Sequence, residues 1–173
     1  MPLIVVMEDD AATRTLVASV LRKDGHDVLS ADNGLSGLEL VRQNKPDLVI
    51  SDVQMPVMDG FAMLQALRAD PAILATPVVL LTSLQERAHM RIGMTSGADD
   101  YLTKPLVFEE LLEATATQLN RQLMRQTVQE QAVDAAIGQA LREQEKKLGR
   151  LYEKKNARRA CRQMALGRDA DRG

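Results

Sequence analysis

The chain has 173 residues and a formal net charge of −2, and apolar residues make up 45 % of it, a composition typical of globular proteins. Aromatic residues make up only 2 %, so the exposed rings on which single-stranded nucleic acids stack are not expected. The lone cysteine, Cys161, excludes a disulfide framework, and neither a membrane span nor a signal peptide is readable, so we expect a cytoplasmic protein without membrane contact.

The first part of the chain alternates short apolar runs with segments of helical periodicity. A strand over Leu3–Met7 precedes a helix over Ala11–Lys23, and a weak strand at 28–29 precedes a helix capped by Asn33. The elements predicted next are a strand ending at Asp52, a helix through Phe61, Leu64 and Leu67, a strand over 77–83, a weaker helix over 85–97, a strand over 101–103 and a helix from Val107. This alternation predicts an α/β protein with a five-stranded, doubly wound parallel sheet.

Polar side chains follow four of the predicted strands at the point where each strand ends. They are Glu8 and Asp9 after the first strand, Asp52 after the third, Thr82 after the fourth and Lys104 after the fifth. Because parallel strands end at one edge of a sheet, these side chains should meet there. Carboxylates suit Mg²⁺, and a lysine can pair with a carboxylate or a phosphoryl oxygen. The set indicates phosphoryl chemistry at a carboxylate nucleophile.

The sequence resembles the CheY-like receiver domains of two-component response regulators over roughly residues 3–121. The resemblance rests on the acidic pair at 8–9, DVQMPVMDG at 52–60, LLTS around Thr82 and GADDYLTKP at 97–105. It implies a flavodoxin-like (βα)5 receiver fold over residues 1–121 and a signalling role. In such a role the chain is not an ordinary enzyme, since aspartyl phosphorylation and dephosphorylation are self-catalysed.

The resemblance also implies individual roles for the residues at the strand ends. Asp52 would accept a phosphoryl group from a sensor histidine kinase or a phosphotransfer protein, assisted by Lys104 and Thr82. The residues implied to hold Mg²⁺ are Glu8, Asp9, Asp52 and Gln54, the last through its backbone carbonyl. Thr82 and Tyr101 are similar to the family's switch pair, and Pro105 resembles its cis-proline.

Some of these positions have simpler interpretations, which remain open at this point. Asp10 could serve only to cap the first helix, because acids favour helix N-termini. Tyr101 could be a half-buried strand aromatic, and Asp59 with Gly60 has the composition of a turn.

The second part of the chain is dominated by good helix formers. No proline follows Pro105, and basic residues outnumber acidic ones beyond it. One long helix is therefore expected, with a helical, partly coiled-coil extension over 122–165 and a disordered basic tail over 166–173. The residues that recur at core positions of a heptad repeat are Ile137, Leu141, Leu148 and Leu151. This seam predicts a homodimer; the alternative is a solitary extended helix.

Two functions follow from these features. The first is a phosphorylation-dependent switch that acts through altered self-association or partner binding. The alternative is the regulatory N-terminal part of a longer enzyme with a nucleotide cyclase, phosphatase or kinase output domain. The segment at 149–168 carries seven basic residues against one acid, but no helix-turn-helix pattern is readable, so specific DNA binding is not expected.

Overall fold

The structure is a computed structural model that describes residues 1–83 and 97–169, with side chains described up to Cys161. Its contacts divide the chain into two compact units, Met1–Arg125 and Gln126–Gly173. The functional limits drawn from the sequence, at 121 and 165, stay predictions.

The first unit is built on one five-stranded parallel sheet with the strand order β2-β1-β3-β4-β5. The strands are β1 (Leu3–Met7), β2 (Asp27–Ala31), β3 (Leu48–Asp52), β4 (Val78–Ser83) and β5 (Asp100–Lys104). The helices are α1 (Ala11–Lys23), α2 (Gly34–Asn44), α3 (Gly60–Ala69) and the long α4 (Phe108–Asp169). The predicted α/β class, parallel sheet and long C-terminal helix are confirmed. The helix predicted over 85–97 lies outside the described residues, apart from Gly97.

Most element limits follow local sequence signals, and β2 shows where those signals fail. Asn33 caps α2 as predicted, accepting a hydrogen bond from the backbone N–H of Ser36 at 2.9 Å. Strand β2 is longer than the apolar pair at 28–29, because all of its residues pair in register with β1, from Leu3↔Asp27 to Met7↔Ala31. Pairing with a central strand, rather than local composition, sets its length.

The apolar core consists of two clusters that together enclose the sheet. Alternate residues of β1 divide between them, with Val5 and Met7 in one cluster and Ile4 and Val6 in the other. All four side chains are fully buried, as expected for a central parallel strand covered on both faces. The sheet is therefore a rigid platform whose strand ends are held in fixed register.

The turn after β3 packs unusually closely against the strand. Asp59 caps α3 by accepting a hydrogen bond from Ala62 N–H at 2.7 Å, and Gly60 N–H donates to the Val53 carbonyl at 2.8 Å. A Cβ atom at Gly60 would clash with the Asp52 carbonyl oxygen and lie 2.9 Å from Val53 Cα. Gly60 therefore lets the helix start directly over the end of β3.

The long helix α4 changes character along its length. In the first unit Leu111 is fully buried, and Leu112 and Leu119 pack against the core. In the second unit the predicted seam residues are 53–60 % exposed, and they are Ile137, Leu141, Leu148 and Leu151. Their spacing alternates between four and three residues around Gln144, as in a heptad core, and the seam stays a prediction. Among the described residues, no helix has the length and apolarity needed to cross a membrane.

We expect Gly60→Ala to destabilise the first unit by about 1–3 kcal/mol, because the added methyl group meets backbone atoms that cannot rotate away. The measurement is the urea unfolding free energy of the first unit. Gly149→Ala is the matched control, since nothing lies within 4 Å of a Cβ there and the residue belongs to the second unit. An unchanged unfolding midpoint for Gly60→Ala would contradict the close packing of this turn.

Candidate functional site

The strand ends bring the predicted polar residues to one edge of the sheet. In the register of the sheet Met7 lies beside Ser51, Asp52 beside Leu81 and Ser83 beside Lys104. Glu8 and Asp9 follow β1 directly, so they face the end of its neighbour β3. The chain leaves β1 toward β2 on one side and continues with β3 on the other, which makes this edge the topological switch point where open α/β sheets bind ligands.

Lys104 joins two carboxylates that lie at the ends of different strands. Its ammonium Nζ donates to Asp52 Oδ2 at 2.7 Å and to Glu8 Oε2 at 2.8 Å. Glu8 is 1 % exposed and Asp52 6 % exposed, so both acids have lost most of their water. Two buried carboxylates that share one lysine form a coupled charge cluster, in which removal of the cation leaves like charges together.

Burial and the hydrogen bonds with Lys104 act in opposite directions on the pKa values of Glu8 and Lys104. Burial raises the pKa of the Glu8 carboxyl above its ordinary value of 4.5, the Asp52 charge raises it further, and the hydrogen bond from Lys104 opposes both. Burial works against the charge of Lys104, but its hydrogen bonds to Asp52 and Glu8 outweigh that effect and raise the pKa of the amine. The lysine is therefore held firmly in its charged form.

The loop between β1 and α1 is fixed by a residue that the sequence did not single out. The Arg14 guanidinium donates to the backbone carbonyls of Glu8 at 2.6 Å and Asp9 at 3.2 Å. Asp10 caps α1, accepting hydrogen bonds from the backbone N–H and hydroxyl of Thr13, which lower the pKa of the Asp10 carboxyl. The capping interpretation of Asp10 thus holds. Arg14 carried no motif signal, since its role is to bind main-chain carbonyls.

The donor set fits a hard divalent cation. Carboxylate oxygens of Glu8, Asp9 and Asp52 all lie within 4.8 Å of one another, with Asp9 exposed and the other two buried. Gln54 lines the same cleft, which has a volume of about 790 Å³ and opens to solvent beside Asp52. A few carboxylates beside an open, wet cleft are the arrangement that suits Mg²⁺, which retains several of its waters.

The remaining predicted residues lie on the neighbouring strands β4 and β5 or directly after them. Thr82 is 2 % exposed near the end of β4, and its hydroxyl lies 3.3 Å from the Ser83 carbonyl. Tyr101 pairs with Leu80 in register and packs against the core, and burial raises the pKa of its phenol. Its hydroxyl is enclosed and has no hydrogen-bond partner in the described part of the chain. The Lys104–Pro105 peptide bond is cis.

Comparison with known proteins gives a family match and curated relatives. The family model described as "response regulator receiver domain" matches residues 4–116. The DNA-binding dual master transcriptional regulator RpaA of a Synechocystis strain is 41 % identical over 121 residues, covering 70 % of this chain and 50 % of RpaA. Protein PilH of Pseudomonas aeruginosa is 38 % identical over 110 residues, covering 64 % of this chain and 91 % of PilH. The chain thus spans about half the length of RpaA and nearly all of PilH.

Solved structures give the same picture. The receiver domain of the Francisella response regulator 1452 has a TM-score of 0.65 and 31 % identity, covering 70 % of this chain and 98 % of that one. The chemotaxis response regulator CheY4 of Vibrio cholerae has a TM-score of 0.64 and 30 % identity, covering 68 % of this chain and 98 % of CheY4. These matches do not favour the alternative of a regulatory segment of an enzyme.

We expect Lys104→Met to destabilise the first unit by about 1–3 kcal/mol at neutral pH, less than for a fully buried pair because the lysine side chain is 29 % exposed. The loss should shrink as the pH falls toward the ordinary glutamate value of 4.5 and below, since protonation removes the repulsion that the lysine relieves. The measurement is the urea unfolding free energy of the unmodified chain and of Lys104→Met, at neutral pH and near pH 4.5.

The control for this prediction is Lys23→Met, which removes an exposed lysine in the last turn of α1. It should change the unfolding free energy little at either pH. A loss for Lys104→Met that is the same at neutral and acidic pH would indicate packing by the lysine stem instead of charge neutralisation.

Proposed function

The chain belongs to the response regulator receiver domain family, and from that premise we propose that it is a switch in which Asp52 accepts a phosphoryl group. The donor would be the phosphohistidine of a sensor histidine kinase or a phosphotransfer protein. One observation carries the proposal: the buried Asp52 carboxylate lies 2.7 Å from the Lys104 ammonium at the solvent-open switch point of the sheet, beside Glu8 and Asp9.

The transfer is a displacement at phosphorus. An Asp52 carboxylate oxygen attacks the phosphorus atom, the P–N bond of the phosphohistidine breaks, and the imidazole nitrogen leaves with the bonding electrons. The product on Asp52 is an acyl phosphate, which water later hydrolyses to aspartate and inorganic phosphate. Lys104 pairs with Asp52 before the transfer and is placed to pair with a phosphoryl oxygen after it.

The acids around Asp52 are proposed to hold the cation that such a transfer needs. When bound, Mg²⁺ would offset the charge on the phosphoryl oxygens. Glu8, Asp9 and Asp52 would supply carboxylate oxygens, and Gln54 its backbone carbonyl. Arg14 supports this set from behind, because it holds the main chain from which Glu8 and Asp9 project.

Thr82 and Tyr101 are proposed to change position when Asp52 is phosphorylated, and in this way to alter the surface of the first unit. Thr82 stands at the end of β4, where its hydroxyl can donate to a phosphoryl oxygen. The enclosed Tyr101 hydroxyl, with no partner in the described residues, costs about 1–3 kcal/mol relative to a hydrogen-bonded one. A second arrangement of the ring that brought the hydroxyl to water would remove this cost, and such an alternative would give the pair the two states that a switch requires.

We further propose that the second unit forms a homodimer through its seam and that phosphorylation alters this association. The exposed seam side chains gain free energy when buried against a second copy. RpaA is named a DNA-binding regulator, but it matches this chain over half its own length, so that property is not carried over.

We expect Asp52→Asn to abolish acid-labile phosphate on the protein, because an amide cannot form the acyl phosphate. The measurement is phosphate incorporation from acetyl phosphate with Mg²⁺ present. Asp59→Asn is the matched control: Asp59 lines the same cleft, and asparagine caps a helix as well as aspartate does. Label that persists in Asp52→Asn would overturn the acceptor, and loss of label in both variants would indicate damage to the cleft.

We also expect the mass in solution to change when beryllium fluoride, a phosphoryl mimic, is added with Mg²⁺. Light scattering after size exclusion should give a mass of about twice 19.1 kDa in one of the two states. Leu141→Lys with Leu148→Lys should give a monomer in both states, because it places charge in the seam. Gln139→Lys with Asn156→Lys is the control, since both residues lie outside the seam. A monomeric protein in every condition would contradict the dimer, and a constant dimer would contradict its regulation.

A further inference from the structure

Basic side chains form a regular row along the second unit that the proposed switch does not use. Its members recur every four residues along α4 and are all exposed: Arg142, Lys146, Arg150, Lys154 and Arg158. Consecutive members lie on neighbouring turns, about 6 Å apart along the axis, and because 3.6 residues make one turn the row winds around the helix by about 40° at each step. We call this set the basic row.

Acidic residues lie near the row, but over the described residues they do not form ion pairs with it. No ion pair involves any of its five members within the described residues, although Glu143, Glu145 and Glu153 lie on the same helix. Like charges four residues apart destabilise an isolated helix, so the row lowers the stability of α4. The helix dipole does not account for it either, because that effect is confined to the last turn and the row begins far before Asp169.

We propose that the basic row binds the phosphodiester backbone of a double-stranded nucleic acid without reading its sequence. Evenly spaced cations that wind gradually around a helix complement a polyanion, and contacts to phosphates supply sequence-independent affinity. The absence of a helix-turn-helix pattern bears on sequence-specific readout and is compatible with this mode. The inference is independent of phosphorylation at Asp52.

Two other anionic surfaces fit the row less well. Helices that lie in a membrane interface need bulky apolar residues opposite their cations. From Glu153 to Cys161, where cations are densest, the only residues that are not polar or charged are two alanines and the cysteine. Single-stranded nucleic acid needs aromatic stacking platforms, and Tyr152 is the sole aromatic residue beyond Phe108. A duplex backbone requires neither feature.

The proposed dimer would leave most of the row accessible. In the register of the seam, Leu141 and Leu148 are core a positions, which places Arg142, Lys146 and Arg150 at the outward b, f and c positions. Lys154 lies at a g position beside the seam, and Arg158 lies at a core d position. Both stand at the end of the seam where Lys155, at a core a position, already introduces charge. A monomer exposes the whole row, so the proposal does not depend on the oligomeric state.

The experiment is fluorescence anisotropy of a short labelled DNA duplex of mixed sequence, titrated with the full chain at several salt concentrations. We expect log K to fall with log salt with a slope of about −0.9 for each phosphate contacted. Arg150→Gln, Lys154→Gln and Arg158→Gln combined should lower the affinity and reduce the slope by about 2 to 3, while helix content by circular dichroism is kept or raised.

The matched control removes three cations outside the row through Lys23→Gln, Lys45→Asn and Arg121→Gln. Asparagine is chosen at residue 45 because that residue is left-handed, with φ 47°. The control should keep the slope of the unmodified chain. Equal slopes for the two triple variants would overturn the basic row as the binding surface. Binding to phosphatidylserine vesicles in place of the duplex would overturn the nucleic acid as the occupant.

Discussion

The hydrogen-bonded contact of Lys104 with Asp52 and Glu8 is the interaction around which this receiver is organised. It places two buried acids and one lysine, from three separate segments of the chain, at one end of a sheet. Burial raises the pKa of the Glu8 carboxyl, and the hydrogen bond from Lys104 opposes that effect. The free energy of apolar burial in the core offsets the electrostatic repulsion between the two acids. The buried central strands also hold the strand ends in register.

The precision of this arrangement comes from main-chain contacts around the charges. Arg14 holds the carbonyls of Glu8 and Asp9, and Gly60 lets α3 begin against the backbone of Asp52. Neither residue needs to touch a phosphoryl group to matter. A carboxylate that projects from a backbone held on both sides cannot move away from its neighbours, so the carboxylate oxygens stay grouped as a divalent cation requires.

The sequence alone predicted the sheet, its strand ends and the acids gathered there, because each of these follows from local pattern and the rules of parallel connection. It did not predict Arg14, whose partners are carbonyl groups with no side-chain signature. It did not predict the length of β2, which pairing with β1 determines, or the approach of Gly60 to Asp52, which depends on how a turn folds back. The common factor is that tertiary contacts, not residue type, decide these features.

The second unit follows a different logic from the first, because nothing in its own sequence buries its side chains. The proposals assign its apolar seam residues to another helix and its basic row to a polyanion, on surfaces that overlap only beyond Leu151. There Lys155 and Arg158 take core positions of the heptad, so the seam loses apolar contact where the cation density is highest. A partner that neutralised those cations would remove the repulsion that ends the seam. If both proposals hold, binding of a nucleic acid backbone to the basic row and self-association through the seam would therefore favour each other.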